Sequence, residues 1–177
     1  MGQKYSFAVL CISFVLGLAV LYRSSMLVGV ESDFDLIFKY GVKGPDAEPK
    51  NVLNTVKGTF TKDMVVDPPI TVKLRLTDEE LEGIYGKMVE IGFFQYPAKF
   101  RVHVPLGASI CIVTPYSSYY FRVVSHGGVV KQLWWDDEIC NDDEGAESLR
   151  ELIRLICGII ESKAEYKELP KPRGGYI

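Results

Sequence analysis

From Tyr5 to Tyr22 the chain runs for eighteen residues without a charge, YSFAVLCISFVLGLAVLY. An apolar run of this length either crosses a bilayer or is buried whole, because it has no polar face to turn toward water. As a helix it spans about 27 Å, close to the thickness of a hydrocarbon core, and Tyr5 and Tyr22 fall where interfacial aromatics are favoured. The run therefore divides the chain. Residues 1–23 read as an N-terminal transmembrane anchor or signal segment, 24–32 as a spacer, 33–168 as one α+β domain and 169–177 as an extended C-terminal tail.

Two fates of the leading segment stay open. Lys4 supplies the basic start of a signal peptide, and Gly17-Leu18-Ala19 offers small residues before a cut. The apolar run nevertheless continues through Val20, Leu21 and Tyr22 with no polar stretch ahead of that cut, which favours a retained anchor. Lys4 lies on one side of the run, whereas Arg23 on the other is followed by Glu31, Asp33 and Asp35. The positive-inside bias then puts the domain on the extracytoplasmic side of a single-pass anchor, and cleavage would make it a secreted protein. Cys11 reads as a membrane-helix residue, since large residues precede it where a lipoprotein signal needs a small one. Met1-Gly2-Gln3-Lys4-Tyr5-Ser6 matches the myristoylation pattern, which is too short to carry weight alone.

The body has the composition of a folded domain: 47% hydrophobic and 24% charged residues, with regular periodicities that a disordered chain lacks. After Arg23 it carries five net negative charges. Lys73, Arg75, Lys87, Arg122 and Lys131 are scattered among acids, so a nucleic-acid role, which rests on clustered Lys and Arg neutralising phosphates, is rejected.

Phe34, Leu36, Phe38 and Tyr40 alternate with Asp35, Ile37 and Lys39, the period of a half-buried strand. LNTVKGTFT reads as a second strand with Val56 and Phe60 on one face, and Ile70, Val72, Leu74 and Leu76 mark a third. Thr77 followed by Glu80 makes a capping box, and Leu81, Ile84, Tyr85, Met88 and Ile91 form the stripe of a helix that stops at Gly92. Further strands are expected near 100–104, 109–114 and 118–125, with Ser125-His126-Gly127-Gly128 turning into VVKQLWW. A closing helix carries Leu149, Leu152, Ile153, Ile156 and Ile160 on one face. The expected fold is α+β: an antiparallel sheet with two helices packed on one face, in the order βββα-βββα.

Chemistry-bearing residues are few. Asp136, Asp137, Glu138, Asp142, Asp143, Glu144 and Glu147 make an acidic stretch, but Gly145 and Glu147 miss the register of a calcium loop. These acids read as solvation and as a complement to the positive end of the following helix, so no metal site is expected. No cofactor motif is present either. Cys111 and Cys140 are the candidate disulfide pair in an oxidising compartment, with Cys157 packing in the last helix. His103 reads as an alternating edge-strand residue and His126 as a turn residue. Trp134 and Trp135, adjacent on one strand, must point to opposite faces, so one of them can join Tyr119 and Tyr120 in a partner-binding patch.

The segments DFDLIFKYGV, TFTKDMVVDPPITVKLRLTDEELEGIY, FFQYP and LPKPRGGY give residues 33–176 a resemblance to an uncharacterised group of small exported or membrane-anchored proteins of Gram-positive bacteria. That resemblance implies an extracytoplasmic setting and carries over no catalytic or binding residue. The expected function is a non-catalytic binding or inhibitory module that meets a protein or cell-wall partner, with the membrane engaged through residues 5–22. The alternatives are an extracellular hydrolase using His103 or His126 with Asp136 or Asp137, and a structural accessory of the envelope.

Overall fold

The alternation beginning at Phe34 becomes strand β1, Asp35–Val42, in the computed structural model, which describes residues 34–42, 48–125 and 128–176. The leading apolar segment, the spacer and His126 lie outside the described residues. Leu36 and Phe38 are fully buried, while Ile37 and Lys39 point to the opposite face and stay half-buried. Six more strands follow: β2 (Asn51–Asn54), β3 (Thr59–Met64), β4 (Asp67–Lys73), β5 (Lys99–Phe100), β6 (Ser117–Ser125) and β7 (Gly128–Asp136). They form one seven-stranded sheet in the order β4-β3-β2-β1-β6-β7-β5, with β1 at its centre.

Register across the sheet puts large apolar residues in line. Phe38 lies opposite Leu53 of β2 on one side and Phe121 of β6 on the other, and Phe121 in turn faces Leu133 of β7. The Phe38 and Phe121 rings meet at 4.7 Å, and each of these four residues is fully buried. Helix α1, Asp78–Glu90, covers this line with Ile84 and Met88. Its capping box is formed as expected: the Glu80 amide donates to Thr77 Oγ1 at 3.3 Å, and the Thr77 amide to Glu80 Oε2 at 2.8 Å. Gly92, at φ 65°, ends the helix in a left-handed conformation that glycine adopts without strain.

The longer helix α2, Glu144–Ser162, buries Ala146, Leu149, Leu152, Ile153, Ile156 and Ile160 against the same sheet face. A short helix α3, Ala164–Lys167, follows. Lys87 bridges the two long helices through Glu151 at 2.8 Å, and Lys163 bonds Glu80 at 2.6 Å. Among the described residues, no helix is long and apolar enough to cross a membrane.

The α+β class and the layering of helices on sheet agree with the sequence reading; the element order and the sheet type do not. LNTVKGTFT is a hairpin rather than one strand. Asn54 accepts from the Lys57 amide at 3.0 Å, Gly58 turns the chain at φ 60°, and Val56 is left exposed at the tip. An Asn-initiated turn closed by one glycine thus overrides the β-propensity of Val56. The expected strand at 109–114 is absent, reduced to an isolated bridge between Ile112 and Ile139. The strand expected at 100–104 shrinks to the two residues of β5, which pair with β7 in parallel and make the sheet mixed.

Because Phe38 is the central side chain of this core, Phe38→Ala is expected to destabilise the protein by about 3–5 kcal/mol, the range for truncating a buried aromatic. Urea unfolding measures it as a lower midpoint at unchanged slope.

Candidate functional site

Both long helices bury their apolar stripes in the core with Leu36, Phe38 and Phe121, so the opposite face of the sheet carries no described helix. Alternation decides which aromatics reach it. Tyr119 lies opposite Trp135 and Tyr120 opposite Trp134, and each pair shares a face. The inward pair belongs to the core. Trp135 is fully buried, 5.5 Å from the Tyr119 ring and 5.6 Å from Phe100, with the Arg150 guanidinium 5.5 Å from its centroid. Trp135 cannot meet a partner from this position while the core is intact, and Tyr119 is partly buried against the same core.

The outward pair is different. Tyr120 and Trp134 are half-buried and touch at 5.4 Å with their planes tilted by 50°. The Lys39 ammonium lies 5.5 Å from the Tyr120 ring centroid and is paired with Glu48. Arg122 and Gln132 lie opposite each other beside this pair, and the Arg122 Nε is buried with no hydrogen-bond partner. Trp134 donates from Nε1 to Asp136 at 3.3 Å, which fixes the indole plane. The face therefore offers a tilted aromatic pair bordered by two cations and an amide, groups that can stack on and hydrogen-bond to a ligand laid across the strands.

Asp136 also accepts from Ser118, which is fully buried, and Asp137 is held by Arg150 Nη2 at 2.7 Å and Nε at 3.2 Å. Both carboxylates considered for acid–base chemistry are thus engaged in structural bonds. His103 is exposed, and its amide donates to Asp143 Oδ2 at 3.1 Å. Asp143 is also the N-cap of α2, accepting from the Ala146 amide at 2.8 Å, while Glu147 pairs with Arg154 at 2.7 Å. Much of the acidic stretch is consumed in capping and ion pairs, and no group of acids, histidines or cysteines among the described residues could hold a metal ion. The Cys157 thiol is pushed up to about 12 by burial and then by the nearby Glu161 charge, away from nucleophilic use.

Two further features of the surface are anticipated in outline by the sequence, as a candidate cysteine pair and an extended tail. Cys111 and Cys140 are joined in a disulfide with their Cα atoms 5.2 Å apart. Asn141 reinforces the staple, accepting from the Cys111 amide at 2.8 Å and donating to the Ser109 carbonyl at 3.0 Å. The segment from Val104 to Tyr116 thereby lies on the surface with Leu106, Ile110 and Ile112 exposed, not half-buried in a strand. Pro105, Gly107 and Pro115 were the breaking signals.

The second feature is the C-terminal tail, which lies on the domain. Arg173 forms a bridge with Val65 and a two-bond ion pair with Asp67, and the Tyr176 hydroxyl donates to Asp63. Comparison of this chain with models of known protein families gives no match, and comparison with curated proteins gives none.

Arg173 beside Asp67 holds that carboxyl below the usual aspartate range. Burial, and then the bond to Asp63, pushes the Tyr176 phenol from 10.0 up to about 12. The docked tail holds the neutral phenol, so its contribution is complete below pH 10.0 and is lost as the pH rises through about 12. Amide NMR shifts of Arg173 and Gly174 are expected to report release of the tail across that window. In Tyr176→Phe this transition disappears.

Proposed function

We propose that this chain is a non-catalytic binding module, held at a membrane through residues 5–22, whose domain engages a protein or cell-wall partner on the extracytoplasmic side. The half-exposed Tyr120–Trp134 pair, on a sheet face that no described helix covers, carries this reading. Tyr120 and Trp134 are partly buried aromatics on that face, and the Arg122 Nε beside them is buried with no hydrogen-bond partner, so an acceptor brought to this face would satisfy it. The Cys111–Cys140 bond supports the compartment, since such bonds persist in oxidising surroundings. Cleavage of the leading segment would leave the same module secreted.

The hydrolase reading draws less support: Asp136 and Asp137 are engaged with Ser118, Trp134 and Arg150, and the Cys157 thiol is held protonated.

Binding of the full chain to solubilised envelope proteins and, separately, to wall polysaccharide tests the proposal. Trp134→Ala is expected to weaken retention about tenfold, as removal of a central aromatic anchor does, while leaving the melting temperature within a few degrees. Trp135→Ala instead lowers the melting temperature sharply. Equal retention of wild type and Trp134→Ala in both arms overturns the reading.

A further inference from the structure

The inward line of β3 runs from Phe60 to Lys62, and there the helix layer ends. Lys62 is nine-tenths buried, 9% exposed, at a place where the next inward residue would ordinarily be apolar. Its ammonium rests 4.6 Å above the Tyr166 ring and enters no ion pair among the described residues. Buried lysines are almost always paired with an anion, because the ammonium loses its hydration on burial and a ring face returns only part of it.

Lys62 lines a groove of about 630 Å³ between the ends of β1 and β3, the end of α2 and the docked tail. Tyr40, stacked on Phe38 at 5.1 Å, and Tyr166 of α3 both line it. Lys167 and Lys171 stand on the same lining. Two carboxylates face it as well. Asp63 is spent, accepting from the Val65 amide at 2.9 Å and from Tyr176, and Glu161 is exposed on the rim.

The backbone around Lys62 is unusual. The pairing of β3 with β4 shifts register between Lys62 and Met64, so that Lys62, Asp63 and Met64 are buried in succession. Val65 follows at φ 62°, a conformation that a β-branched residue adopts only under strain. Asp63 and the bridge to Arg173 hold that strained turn in place. Strain of this kind, maintained by surrounding bonds, gathers where a side chain must be aimed at a ligand.

We propose that this groove is a binding site for a small organic anion, a carboxylate or phosphate group seated on Lys62 with a flat or aliphatic body between Tyr40 and Tyr166. The site is separate from the outer sheet face and shares no residue with it. The tail forms one wall, so the site is complete only while Arg173 and Tyr176 are docked. Benzoate supplies both head and ring, and inorganic phosphate supplies the head alone.

The test is titration of the full chain, in neutral-detergent micelles, with each probe in turn, followed by NMR of the Lys62 ammonium and of the Lys62 and Tyr166 amides. Benzoate is expected to give saturable shifts at all three. Lys62→Met should weaken its binding about tenfold, the usual effect of losing one charge-assisted bond, and Lys62→Arg should retain most of it. Saturation by phosphate as well identifies the charged head as the recognised group, whereas benzoate alone shows that the ring is also required. No saturable shift with either probe, or equal binding by Lys62→Met, overturns the proposal. Should Lys62→Met fail to fold, the wild-type ammonium signal decides: unmoved by both probes, it overturns the site.

Discussion

Everything in this domain hangs on the period of two in β1 and its cross-strand pairing with β6. Leu36, Phe38 and Tyr40 meet Val123, Phe121 and Tyr119 across the ladder, and the helices close over that aromatic line. A strand cannot bury both of its faces against one helix layer, so choosing this face for the core leaves the other to Ile37, Lys39, Tyr120 and Arg122. A register slip of one residue would exchange the two sets. The burial of Phe38 and Phe121, each worth several kcal/mol when lost, is what forbids it.

The same constraint produces the two surface features. At the centre of the sheet the face opposite the helices carries a half-exposed Tyr120–Trp134 pair, because Tyr119 and Trp135 have taken the core positions next to them. At one end of the sheet the inward lines of β1 and β3 reach the end of α2, and Tyr40 and Lys62 line a groove there together with Tyr166 of α3. The tail then walls the groove, tied by Arg173 to Asp67 and by Tyr176 to Asp63. Core packing, an outward aromatic pair and a bordered groove are thus consequences of one strand pairing and of where the helices stop.

Where the pattern is local, the sequence shows it. The alternation of β1, the Thr77–Glu80 box and the apolar stripe of α2 all survive into the structure because period and capping depend on neighbouring residues. Opposite faces for Trp134 and Trp135 follow from the same period, but which of them enters the core depends on pairing with Tyr120 and Tyr119. Of the non-local features, the Cys111–Cys140 pairing is legible from cysteine placement, but its consequences and the others are not. The Asn54–Gly58 turn competes with a β-rich composition, and Ile110 and Ile112 look like strand residues until the Cys111–Cys140 staple holds their segment on the surface. Lys62 lies on the same face of β3 as Phe60, but that Tyr166 of α3 covers it depends on how distant segments pack. His126 and the leading apolar run lie outside the described residues.

The central claim, that alternation along β7 sends Trp135 into the helix-covered core and Trp134 to the opposite face, is most directly measured by hydroxyl-radical footprinting of the folded full chain with residue-level mass spectrometry. Trp134 is expected to oxidise more readily than Trp135, which is fully buried. Equal labelling of the two tryptophans, or protection of Trp134 to the level of Trp135 in the absence of any partner, would contradict the account.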